Sequence, residues 1–335
     1  MKRLVIVSSA LVAAFFSQAQ PEGINGGPIN VPVDGIVDGV FIQQHIPTKR
    51  LIPYEYVREA DVVWSKRAWE YIDVREKINL PLYFPMDEYD AAGNWVKNSS
   101  RWSLWTVLKH HILAGDIRLF SPYNPNDFNI LDGDQLKYPV DPTQPGLNFY
   151  TDSIYRNVLF SYFGKLGAQS TTPLANSFGE DSTRTLADGT IEYVYPARDT
   201  TWFTSKDIVQ FRLKEDWFFD KERSVLDVRI IAIAPVVFQK DDDGTIQKLE
   251  EKFWLYFPQC RFVLNNYFVY NDQNDAQWMS FDDLFWKRRF SSTIYKESNT
   301  FDRNIESYRM GADALMEAEK IKEEIRTIEH DVWSF

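Results

Sequence analysis

The sequence predicts an α+β protein in which helices pack on short antiparallel sheets, arranged as two lobes behind an extended N-terminal arm. Three observations lead there. Residues 152–166 carry Ile154, Tyr155, Val158, Leu159, Tyr162, Phe163 and Leu166 at helical spacing, a broad apolar face. Residues 208–218 alternate instead, with Val209, Phe211 and Leu213 set against Gln210 and Arg212, as a half-buried strand does. Between them, 168–200 is polar and turn-rich, a linker or excursion separating a lobe at 57–167 from one at 201–335.

In chain order, residues 1–19 read as a cleavable signal peptide. Lys2 and Arg3 precede an apolar run from Leu4 to Phe16, and Ser17 and Ala19 supply the small residues a signal peptidase reads. The run is too short to span a bilayer. The single cysteine, Cys260, is not where a lipoprotein needs one, and it has no partner for an intramolecular disulfide. The expectation is a soluble periplasmic protein that stands on its core alone. With 335 residues, 44% of them hydrophobic and 52 of them Phe, Tyr or Trp (24, 17 and 11), core material is ample. The net charge of −11 becomes more negative once Lys2 and Arg3 leave, which argues against a nucleic-acid partner or an electrostatic hold on anionic lipid.

Residues 20–56 read as an extended arm that becomes ordered along a partner or a neighbouring subunit, with a disordered lead-in as the competing reading. Gly and Pro are frequent there, so the stretch cannot bury a regular face by itself. Its apolar residues Val31, Val33, Ile36, Val40, Phe41, Ile42 and Ile46 are more numerous than a linker needs and are the candidate interface.

The body follows. Asp61 is read as the cap of a helix to Asn79 with Trp64, Ala68, Tyr71, Val74 and Ile78 as its stripe, and Leu80–Met86 as a short strand. Ser103 caps a second helix, with Leu104, Leu108 and Ile112 on one face and Gly115 ending it; Ile117–Phe120 is a strand. After 168–200, strands at 208–218, 225–239 and 245–257 make an antiparallel meander that turns at Asp242-Asp243-Gly244, and Asn266–Asn271 adds another short strand. Ser280 caps a helix over 281–290, a further helix covers 302–309, and an amphipathic helix runs from Ala312 to Glu329 with Leu315, Ile321, Ile325 and Ile328 as its stripe. Residues 61–67 and 283–289 echo each other (acid, two apolar residues, Trp, basic pair), which suggests that both lobes use similar helices.

A search for catalytic chemistry yields little. His45, His110, His111 and His330 lack metal-binding spacing, and the adjacent pair points about 100° apart on a helix. No P-loop, G-x-G-x-x-G or G-x-S-x-G occurs. Cys260 reads as a packed thiol. Asp127, Asn129, Asp132 and Asp134 around Gly133 miss calcium-loop spacing, and Asp241-Asp242-Asp243-Gly244 reads as a hairpin tip, so no metal or cofactor is expected. An alternative is a carbohydrate-binding or glycan-hydrolysing protein using Trp217, Trp254, Trp278 and Trp286 with the carboxylate pair Asp282 and Asp283. The terminal Phe335 is typical of outer-membrane barrels, but the body lacks the repeated alternating segments a barrel needs.

Four segments carry a family resemblance. They are 58–67 (Arg-Glu-Ala-Asp-Val-Val-Trp-Ser-Lys-Arg) running on to Arg75–Asn79, then Lys214–Asp220, Arg229–Pro235, and Phe281–Ser292 continuing to Lys296–Asn299. In this order they resemble the GldN (PorN) family of the Bacteroidetes type IX secretion system. The resemblance implies a non-enzymatic periplasmic subunit. Such a subunit forms a ring with the lipoprotein GldK (PorK) and with its own neighbours beneath the outer membrane, connects to the motor protein GldM (PorM), and serves secretion and gliding motility. It implies no catalytic residues.

Overall fold

The computed structural model describes residues 51–333 apart from 90–94, 97, 99–100, 167–169, 171, 176–180, 186–190, 197–199, 241–244 and 275–278. Its backbone is an eight-stranded antiparallel sheet built from β1 (Val62–Asp73), β2 (Leu119–Phe120), β3 (Pro139–Val140), β4 (Ile208–Asp220), β5 (Val225–Lys240), β6 (Ile246–Glu251), β7 (Trp254–Tyr256) and β8 (Thr293–Glu297). The strands lie in the order β8-β1-β4-β5-β7-β2-β3, with β6 also paired to β5. Segments from both sides of the 168–200 excursion are thus neighbours in one sheet: β1 pairs with β4 from Val62↔Asp220 to Asp73↔Gln210. Around the sheet stand six α-helices among the described residues: α1 (Leu80–Tyr83), α2 (Leu104–Ala114), α3 (Ser153–Phe163), α4 (Phe257–Leu264), α5 (Phe281–Trp286) and α6 (Ala312–Trp333). The α+β reading holds.

The alternation of side chains along each strand divides the core. Ile233 and Leu255 point into the large cluster that takes in Trp105 and Leu108 of α2, Leu159 and Phe163 of α3, Cys260 of α4 and Phe281 and Phe285 of α5. Their neighbours Ala232, Ala234 and Trp254 face the other way, against Trp69. A third cluster forms where α6 lays Ala318, Ile321 and Ile325 against Ile294 of β8, with Trp64 and Trp217 beside them. Local chemistry fixes the helix ends. The Ser103 hydroxyl accepts from the Thr106 N–H at 3.2 Å, and Gly115, at φ 91°, closes α2 by donating to the His111 and Ile112 carbonyls.

Several expectations are corrected. Residues 61–79 are not a helix: 62–73 are β1, the second strand of the sheet, and 80–83 are helical where a strand was expected. The echo between 61–67 and 283–289 therefore pairs a strand with a helix and does not mark similar elements. Strand 245–257 breaks after Glu251 and gives way at Phe257 to α4, with Pro258 in its first turn, where Pro costs no hydrogen bond. The helix at 302–309 is only a 3₁₀ turn, Ile305–Ser307. In α6, Leu315 is 52% exposed and Ala318 takes its place in the buried stripe. The helix at 152–166 stops at Phe163, and Gly164–Leu166 pairs with Thr200–Trp202. Within 168–200, the described strands Thr183–Thr185 and Ile191–Tyr193 form a small exposed hairpin.

Candidate functional site

Two features stand apart from the packing. The first is a seat for the last residues of the arm. Asp282, in the first turn of α5, makes a two-pronged ion pair with Arg261 of α4, at 2.7 and 3.1 Å, and both are buried. So held, Arg261 donates to the Ile52 carbonyl at 2.8 Å and covers the Tyr54 ring 4.4 Å from its centroid. Tyr54 stacks on Trp286 at 5.7 Å, and Arg229 sits 5.3 Å from the same ring while donating to the Glu55 carbonyl. Arg223 pairs with the Glu55 carboxylate at 2.6 Å. Burial pushes the Tyr54 phenol up to about 12, so it stays neutral. Residues 52–55 are thus docked by three arginines, through main-chain carbonyls, an aromatic face and one carboxylate.

Below the seat lies a charged layer. Glu70 of β1 and Glu215 of β4 are 1% and 0% exposed, and a single cation, Arg288, serves both. Its Nη1 is 2.9 Å from each Glu215 oxygen and its Nη2 is 3.1 Å from Glu70, which also accepts from the Ser292 hydroxyl at 2.6 Å. Burial, then the neighbouring Glu70 charge, raise Glu215 to about 7 against the opposing pull of Arg288.

The second feature is a cleft of about 310 Å³ beside α2, walled by Tyr89, Trp95, Tyr150 and Trp202, with Lys109 and His110 among its lining. Lys109 donates to the Phe203 carbonyl at 3.2 Å and lies 4.8 Å from the Trp202 ring centroid. Desolvation lowers its ammonium to about 8. Asp87 also lines the cleft, but its carboxylate already accepts from the Thr106 hydroxyl at 2.5 Å and the Ser205 N–H at 3.0 Å.

The residues singled out in the sequence fall elsewhere. Val31, Val33, Ile36, Val40, Phe41, Ile42 and Ile46 lie outside the described residues, as do His45, Trp278 and the 241–244 tip. The carboxylates of the glycan-hydrolase alternative are not a working pair. Asp282 is committed to Arg261, and Asp283 closes the Ser280 capping box by accepting from the Ser280 N–H at 3.2 Å. Trp254 is 1% exposed core, Trp217 packs under α6 and Arg288, and Trp286 belongs to the arm seat. His111 is buried between Asp116, at 2.6 Å, and the Tyr267 hydroxyl, at 2.7 Å, while His110 lines the cleft. Cys260 is buried in apolar surroundings that raise its thiol well above the usual range. Asp134 accepts from Trp69 and Lys214, and Asp132 accepts from Tyr138. Among the described residues, no three His, Cys, Asp or Glu side chains group as a metal site, and no helix is long and apolar enough to cross a membrane.

Sequence reasoning passed over Lys109, Arg229, Arg261 and Arg288, whose partners come from distant segments. The one available signal was aromatic density around Trp286 and Trp202.

Residues 57–334 match the family described as gliding motility associated protein GldN. The chain belongs to the GldN family. Comparison with curated proteins gave no match. The GldN match begins at residue 57, so the docked residues 52–55 lie just outside it while their receptors Arg223, Arg229, Arg261 and Trp286 lie within it. GldN is a gliding-motility component and not a known enzyme family.

Proposed function

We propose that this gliding-motility-associated protein is a non-enzymatic, periplasmic structural subunit of the type IX secretion machinery. In this reading it forms a ring with the lipoprotein GldK (PorK) and with its own neighbours beneath the outer membrane, connects to the motor protein GldM (PorM), and supports protein secretion as well as gliding. The signal-peptide pattern of residues 1–19 supports export. The observation that carries the structural role is the arm seat: three arginines and Trp286 hold residues 52–55 at the body surface, so that the arm is anchored to the body at a fixed point. That is what a lacing element requires.

The test is affinity purification of the tagged full-length protein from the periplasm of cells making the lipoprotein. Co-recovery of GldK in annular particles visible by electron microscopy is the expected result. Recovery of the protein alone, with secretion intact in its absence, overturns the proposal.

A further inference from the structure

The arm seat and the charged layer beneath it share a cavity. Its volume is about 120 Å³, and its lining includes Tyr54, Arg261, Asp282 and Trp286 of the seat together with Arg288 of the layer. That is space for a few water molecules, with polar groups to hold them. Arg288 touches both carboxylates of the layer, Glu215 at 2.9 Å and Glu70 at 3.1 Å. By count the layer is out of balance, since two buried carboxylates face one guanidinium. With both ionised, one negative charge is buried without a cation of its own, which is costly. The other groups that act on Glu215 do so through space: Lys322 of α6 favours its ionised form, and Tyr54 of the arm stays neutral. Around the cavity the charges are already engaged. Arg261 of α4 pairs with Asp282 of α5, Arg229 of β5 sits over the Tyr54 ring, and Asp227 of β5 accepts from the Val228 N–H and lies 3.6 Å from Arg223.

Releasing residues 52–55 changes this environment in one direction. The Tyr54 ring is the part of the cavity wall that the arm supplies, and without it water gains access to Arg288 and the carboxylates it holds. Glu55, docked on Arg223, leaves with the ring and takes a negative charge away. Hydration and the loss of a like charge both favour the ionised form of Glu215. Linkage is reciprocal: if release of the arm favours loss of the proton, loss of the proton favours release of the arm by the same factor. We propose that the seat is a proton-gated clasp, in which residues 52–55 are held while Glu215 carries a proton and loosen when Glu70 and Glu215 are both ionised. Burial and the Glu70 charge raise Glu215 to about 7, so the change falls near neutral pH.

The clasp does not depend on the secretion reading, and its test uses only the purified, full-length mature protein. Cys260 is the single cysteine and is buried, so a cysteine introduced by Tyr56→Cys takes a nitroxide label selectively. Tyr56 is 90% exposed and adjoins the seat, so the label reports on the arm without filling the cavity. The mobile fraction of its electron paramagnetic resonance spectrum should rise by about fivefold or more between about pH 6 and about pH 8, the low end of ordinary coupling between sites. In Glu215→Gln, which cannot ionise, it should stay at the low-pH level throughout. Glu70→Gln, which leaves one carboxylate for one guanidinium, should do the same. A wild-type mobile fraction that is flat or that falls as pH rises overturns the proposal, and so does a rise that both variants share. The wild-type profile alone decides the sign, so the test stands even where a variant fails to fold. No partner protein enters the measurement, so failure here and failure of the ring proposal are told apart.

Discussion

Arg288 carries an unusual burden for one side chain. It holds two buried carboxylates from adjacent strands while lying 5.0 Å from the Trp217 ring centroid, and its own backbone sits at φ 48°, where few non-glycine residues rest. Removing one partner of a buried ion pair is far more costly than never having built it, because the charge left behind cannot be rehydrated. Arg288→Ala is therefore expected to destabilise the protein by about 3–5 kcal/mol in denaturant titration, whereas a cost below about 1 kcal/mol would mean the layer is solvated. The same cluster sets a pH response. Glu215 titrates near 7 in the folded protein against 4.5 for its ordinary value, so between these limits the native state holds a proton the unfolded chain has released. The stabilisation from that proton is complete below about 4.5 and is lost as pH rises through about 7. Wild-type Tm minus that of Glu215→Gln should accordingly fall between about pH 5 and about pH 8. A difference that stays flat, or that grows with pH, contradicts the assignment.

At the scale of elements, the two firmest predictions belong to the segments with the simplest surroundings. The helix α2 was legible from Ser103, its apolar stripe and Gly115, and strands β4 and β5 were legible from their apolar residues, because those signals are local in the sequence, although β4 is buried on both faces and not on one. The strand β1 was not. Its polar residues are neutralised by partners far along the chain: Arg67 by Asp216 at 2.6 Å, Lys66 by Glu297 at 3.1 Å, and Glu70 by Arg288 at 3.1 Å. Without those partners in view, Trp64, Ala68 and Tyr71 mimic a helical stripe. The candidate site was hidden for the same reason, since the Tyr54, Arg229, Arg261 and Trp286 seat joins four separate segments and its pattern exists only after folding. Two anchoring residues of different exposure give a contrast to measure. Ile321 is 4% exposed on the inner face of α6, so Ile321→Ala should cost about 2–5 kcal/mol as the cavity fails to collapse. Trp286 is 49% exposed, and Trp286→Ala should cost less than Ile321→Ala while speeding tryptic cleavage at Arg58, because it removes the platform under Tyr54. Equal cleavage rates in wild type and Trp286→Ala would detach Trp286 from any role in holding the arm.

For the whole molecule, the seat divides the arm into two parts with different work. Residues 52–55 contribute to the body: Ile52 and Glu55 give their carbonyls to Arg261 and Arg229, and Tyr54 fills the space between two guanidinium groups and an indole. Taking them away removes one partner from each of three arginines, while Arg261 keeps Asp282 and Arg223 keeps Asp220, and a lost hydrogen bond to a charged group costs about 1.5–3 kcal/mol. Shortening the arm on either side of the seat therefore tests where its work is done. Deletion of 22–48 should leave the melting temperature of the body within a few degrees of the full-length protein, since every contact of 52–55 survives. Deletion of 22–56 should lower it further, by about 2–4 °C for each kcal/mol lost, the scale for a large domain. Both deletions are expected to weaken association with GldK, because each removes the apolar residues Val31 to Ile46 that the ring proposal assigns to contact. The informative comparison is therefore between the two readouts in the shorter deletion. A stable body that no longer co-purifies places the lacing function upstream of Ile52. A stable body that co-purifies unchanged removes the arm from assembly and moves the contact surface onto the folded residues.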